Sequence, residues 1–112
     1  MPKWYKLNPD KTISPIKDIN ELANVYDNPN RIVAQTVISK GIHVSTVFLG
    51  LDHSFGEGPP LVFETMIFGG ELDQYQERYS TYQQAEAGHL KACREARKAL
   101  PLGTPQTYEP LI

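Results

Sequence analysis

A chain of 112 residues with 40 % hydrophobic content, 21 % charged residues and a formal net charge of −2 fits one globular domain. This balance excludes a disordered polyelectrolyte, and it leaves no basic footprint for nucleic acid, so a nucleic-acid partner is not expected. No apolar run approaches the roughly 18 to 20 residues of a membrane span, so no membrane association is expected either.

At the N-terminus, Met1-Pro2-Lys3-Trp4 is not followed by an apolar stretch, so no signal peptide is expected. Lys3 to Leu7 is a short aromatic run, and Asn8-Pro9-Asp10-Lys11 has turn chemistry. Thr12-Ile13-Ser14 can return as a second strand of a small hairpin. Asp18 and Glu21 have the spacing of a capping box and predict a short helix over Ile19 to Tyr26. Asn28-Pro29 ends it, because proline disfavours helical geometry in the residue before it.

Arg31 to Ser39 is rich in β-branched residues and reads as a strand. Ser39-Lys40-Gly41-Ile42 reads as a tight turn, with Ile42 to Leu51 and Leu61 to Phe68 as the next strands. If Ser39 faces Ile42 and Leu51 faces Leu61, one face carries Ile32, Ala34, Val47, Leu49, Leu51, Leu61, Phe63 and Ile67 as the core. The other carries Val33, Gln35, Val37, Val44, Thr46, Phe48, Val62, Glu64, Met66 and Phe68. It is too apolar for water, so the N-terminal segment or another subunit should cover it.

Glu71 to Glu77 reads as loop. Ser80 and Gln83 predict the start of a long helix, with Tyr82, Ala85, His89, Ala92, Cys93 and Ala96 on its inner face. Pro101 ends it. The fold expected is α+β: a three-stranded antiparallel meander packed against this long helix, with the short N-terminal helix and hairpin beside it. Residues 1–100 form the domain and 101–112 an extended tail, whose Tyr108, Leu111 and Ile112 can pack locally or on a partner.

The residues able to carry chemistry are Asp52, His53, Glu64, Arg78, Tyr79 and His89, as a candidate binding set. Asp52 beside His53 can orient an imidazole for proton transfer, or can cap its own loop. Glu64 in mid-strand needs a partner, for which Arg78 or a metal is available. Arg78 and Tyr79 before a helix start can form an anion subsite. His89 on a small-residue face reads as a satisfied core histidine; His53 and His89 are the candidate metal ligands, in no recognised spacing. The Gly56-Glu57-Gly58 loop lacks the lysine and helix of a phosphate cradle. Cys93, the single cysteine, excludes a disulfide framework and points to a cytoplasmic setting. No catalytic residue and no cofactor is assigned.

The string V-S-T-V-F-L-G-L-D-H-S-F-G-E-G-P-P-L-V-F-E-T-M-I-F-G-G, with R-Y-S-T at Arg78 to Thr81 and A-G-H at Ala87 to His89, resembles a family of small proteins of phages, prophages and mobile elements. The likeness spans roughly Val44 to Cys93. It implies a phage-type setting and brings no activity with it. The expectation is an accessory protein that binds a host protein or itself and modulates the host, for instance a defence system. The alternative is a small metal- or nucleotide/phosphate-binding protein, or a hydrolase, with its site between the Asp52–Pro60 loop and the last helix.

Overall fold

The computed structural model describes residues 3–106. Strands β1 (Tyr5–Leu7) and β2 (Ile13–Pro15) pair antiparallel as the expected hairpin. A 3-10 turn, Ile19–Glu21, leads into helix α1, Leu22–Asp27. Asp18 caps the turn by accepting the Asn20 N–H at 2.9 Å. Glu21 does not complete the capping box. Its carboxylate instead accepts from the Lys6 ammonium at 2.9 Å and from the Lys17 N–H at 3.2 Å, which ties the helix to the hairpin.

The main sheet has four strands in chain order: β3 (Ile32–Ser39), β4 (Ile42–Phe48), β5 (Phe63–Phe68) and β6 (Gln76–Tyr79). It is the antiparallel meander expected, with one strand more. Gln76 to Tyr79 holds no β-branched residue and only Tyr79 of the strand-favouring types, so its composition marks it weakly as a strand. Its pairing rests on β5, where Glu64 stands opposite Arg78.

The predicted register is out by one residue across β4. Ser39 does stand opposite Ile42, but a bulge at Ile38 places Val37 opposite His43, and a second at Val33 places Ile32 opposite Val47. Phe48, not Leu49, stands opposite Phe63. A one-residue shift inverts every side chain on a strand. Val44, Thr46 and Phe48 therefore face the core, and Val47 faces away from it.

Helix α2 runs Tyr82–Lys98 across one sheet face. Its capping box is Thr81 with Gln84, one residue beyond the pair expected, with the Gln84 N–H donating to Thr81 Oγ1 at 3.0 Å. Its buried residues are Ala85, Gly88, His89, Ala92, Cys93 and Ala96. Small side chains let the helix lie close to the sheet. At Gly88 the approach is closest, since a Cβ there would stand 2.0 Å from the Tyr79 hydroxyl.

The core has two parts. At one end Phe48 and Phe63 meet at 5.2 Å, and the Tyr82 ring meets Phe63 edge-on at 6.0 Å. Leu7 and Val25 from the N-terminal segment complete this cluster. At the other end Ile38, Val44 and Ile67 pack on Ala92, Cys93 and Ala96. Burial of each large side chain contributes about 1.5–3 kcal/mol. The N-terminal segment thus sits on the helix side, at the aromatic end. Its Tyr5 N–H donates to the Gly50 carbonyl at 2.8 Å. Gly50 has φ +82, and a Cβ on it would meet Val25 at 2.6 Å, so the junction takes only glycine.

Beyond α2 the chain returns to the sheet, with Ser39 Oγ donating to the Pro105 carbonyl at 2.7 Å. Tyr108, Leu111 and Ile112 lie outside the described residues. Among those described, no helix is long and apolar enough to cross a membrane.

Candidate functional site

The residues singled out from sequence fall in three places. Asp52 and His53 lie at the base of the loop after β4. Asp52 accepts from the Ser54 N–H at 2.8 Å, the Ser54 hydroxyl at 3.0 Å and the Leu61 N–H at 2.9 Å. Burial raises its pKa, but these bonds and the charge of Lys3 outweigh that and hold the carboxyl below its ordinary value. Its work is loop closure. His53 continues the pairing through its backbone, donating N–H to Leu61 at 3.0 Å, and its ring is half-buried. The tip of the loop displays Phe55, 96 % exposed and at φ +58. The glycines around Phe55 predict a turn, but not which side chain that turn presents.

Glu64, Arg78 and Gln76 meet on the sheet face opposite α2. One Glu64 oxygen accepts from Arg78 Nε at 3.0 Å and from Gln76 Nε2 at 2.8 Å. The Glu64 side chain is 11 % exposed and that of Arg78 32 %. Arg78, expected beside a helix start, is a strand residue that lies over its cross-strand carboxylate. The same face presents Val47, Ser45 opposite Met66, and His43 opposite Phe68, these last rings stacked at 4.8 Å. Half-exposed Val37 and Gln35 extend it onto β3. Among the described residues no helix lies over this face, which mixes Val37, Val47, Met66 and Phe68 with Gln35, Ser45 and the Glu64–Arg78 pair.

Tyr79 and His89 are on the other side, under α2. The His89 ring is 4 % exposed. Its Nε2 lies 2.9 Å from Thr36 Oγ1 and its Nδ1 lies 2.7 Å from Thr46 Oγ1. Thr46 meets Thr65 at 2.6 Å. The Thr65 hydroxyl stands near that of Tyr79, and Thr36 near the Cys93 thiol, each threonine tending to lower its neighbour's pKa. Tyr79 and Tyr75 both donate to Glu77 Oε2, at 3.2 and 2.6 Å. A row of polar groups therefore crosses the sheet from Cys93 to Glu77.

Donor counting fixes its direction. The Tyr75 hydrogen bond, partly opposed by burial, holds the Glu77 carboxyl below its ordinary value, with Lys91 adding to the effect. Glu77 is thus an ionised acceptor. Tyr79 gives its proton to Glu77, so Thr65 donates to Tyr79 and Thr46 to Thr65. His89 Nδ1–H then donates to Thr46, and Nε2 accepts from Thr36. Burial pushes the His89 pKa down, which keeps the ring neutral and suits this assignment. Burial also raises the Tyr79 hydroxyl and the Cys93 thiol. Cys93 is therefore a protonated, inert thiol at neutral pH.

Comparison with family models, curated proteins and solved structures gives no match. What the arrangement can do follows from its geometry alone. Both ring nitrogens of His89 are engaged by threonines, so the helix sends no free imidazole toward the His53 loop. Among the described residues, no three or more His, Cys, Asp or Glu side chains gather as a metal-holding group. The open face has the composition of a recognition surface: aromatic, methionine and arginine side chains, with the carboxylate of Glu64 already paired.

Proposed function

We propose that this protein acts by binding another protein through the open face of its four-stranded sheet, rather than by catalysis. The observation that carries the reading is that face itself. Val37, Val47, Met66 and Phe68 are only partly covered, and Phe68 is 38 % exposed. A stripe of this kind beside a satisfied ion pair resembles the core and rim of a protein interface. The N-terminal segment, expected to cover this face, packs instead on the opposite side with Phe48 and Phe63. The resemblance of the Val44–Cys93 stretch to phage and mobile-element proteins adds the setting: an accessory protein in the host cytoplasm, whose partner is a host protein such as a defence component.

The test is a paired capture and stability measurement on the full chain. Wild type is expected to retain one stoichiometric partner from host extract, confirmed with the purified partner. Met66→Lys with Phe68→Glu is expected to lose it by at least about a hundredfold in affinity, as for removal of a hot spot, with the urea midpoint unchanged. Retention by the variant refutes this face as the binding surface. Self-association of wild type, abolished by the same variant, would make the partner a second copy.

A further inference from the structure

We infer that the cleft between the N-terminal strand and the segment after β2 is a binding site for a small amphipathic carboxylate. The cleft holds about 620 Å³ and is lined by Trp4, Tyr5, Ile16 and Leu22, with Lys3 and Lys17 at its rim. That volume falls in the range of small-molecule sites, about 300–1,000 Å³. Aromatic and branched walls with a few charged groups at the mouth are what such sites share.

The walls are held from outside the cleft. The Ile16 N–H donates to the Trp4 carbonyl at 2.8 Å, and the Asp52 N–H donates to the Lys3 carbonyl at 2.9 Å. Trp4 also forms a bridge with Leu51. Its ring meets the Tyr26 edge at 6.1 Å, which fixes one aromatic wall before any ligand arrives. A preformed wall lowers the ordering cost of binding.

The charge argues for an anion. Of the two acids that follow Lys17, Asp18 accepts from the Asn20 N–H at 2.9 Å, and Glu21 has both oxygens engaged, one by the Lys6 ammonium and one by the Lys17 backbone N–H. No ion pair holds the Lys17 ammonium among the described residues. Lys3 acts on Asp52 electrostatically, but that carboxylate already accepts three hydrogen bonds from Ser54 and Leu61. Two cations at the mouth of an apolar slot match a ligand with an apolar body and a carboxylate head. The lysines set the sign of the head, and Trp4 and Tyr5 take the body.

Trp4 is the single tryptophan, so its emission reports on this cleft directly. The full chain is titrated with decanoate and, separately, with decanol, following Trp4 emission and the backbone amide shifts of Lys3, Tyr5, Ile16 and Leu22. Decanoate is expected to give a saturable blue shift and to move those amides. Lys3→Ala with Lys17→Ala should weaken decanoate about tenfold, as for two partly exposed charges, and leave decanol unchanged. These lysines are exposed, so the variant folds, and its amide spectrum verifies that. The inference is overturned by a flat Trp4 response, by equal affinity for decanol and decanoate, or by shifts confined to the open sheet face. It is also overturned by Trp4–Met1 cross-peaks in the free protein that decanoate does not displace, which would give the cleft to the chain's own first residues.

Discussion

The two faces of the four-stranded sheet both take polar side chains out of water, and they do so by opposite means. Under α2 the sealed groups are neutral, Thr36, Thr46, Thr65 and an uncharged His89, with the ionised Glu77 kept at the more exposed end of the row. On the open face the groups are charged, with Glu64 covered by Arg78 and Gln76. A sealed layer can hold hydroxyls and an imidazole because each costs little to desolvate once bonded. A carboxylate costs far more, and is tolerated where its guanidinium partner still reaches solvent. The covered face therefore serves to fix the structure, and the open face is left able to exchange its contacts.

Breaking the covered face should cost most. His89→Ala leaves the Thr36 and Thr46 hydroxyls without their partner and opens a cavity, and a loss of about 3 kcal/mol in urea unfolding is expected. Gly88→Ala gains about 1 kcal/mol of helix propensity. Against that, its Cβ would stand 2.0 Å from the Tyr79 hydroxyl, pushing it off Thr65 and Glu77. The net loss expected is about 2 kcal/mol, less than additive with Tyr79→Ala in a double-mutant cycle.

On the open face, Glu64→Gln should cost about 1–2 kcal/mol, below the figure for a fully buried pair because Arg78 remains a third exposed. Adding Arg78→Met should recover part of it, since the unpaired cation is then gone. The smallest effect expected is in pH. The pKa of folded His89 lies below its ordinary 6.5, so the unfolded chain binds the extra proton first. The contribution of His89 is complete above about pH 6.5 and is lost as pH falls from there through the folded pKa. The urea midpoint of wild type should drop between pH 7 and 5, and that part of the drop should vanish in His89→Gln.

Much of this architecture was legible in the sequence, and the misses have physical causes. β-Branched runs marked β3 to β5, and a lone acid among apolar neighbours showed that Glu64 needs a partner, of which Arg78 was one of two candidates. The strand containing Arg78 did not, because Gln76 to Tyr79 pairs through what it covers rather than through its own propensity. The β3–β4 register was displaced by irregularities at Val33 and Ile38, which no period-of-two count can detect, and the β4–β5 register by pairing across the long loop that does not place Leu51 opposite Leu61. The satisfied state of His89 was readable from its small-residue face. The two threonines that satisfy it were not, because they stand on β3 and β4, more than forty residues away in sequence. The Trp4 cleft depends on how residues 3–5 are pinned to residues 50–52 and Ile16 to Trp4, and no local pattern encodes that.

The polar row under α2 has a bearing on how the strands find one another. Thr36, Thr46 and Thr65 belong to β3, β4 and β5, and the row continues to Tyr79 on β6. Sliding β4 by two residues would keep the same side chains inward and remain acceptable to hydrophobicity, but it would set Val44 or Phe48 against Thr65 and His89 and strand their hydrogens. In a meander distorted by two irregularities, where greasiness alone permits several alignments, these hydroxyls let only one of them close.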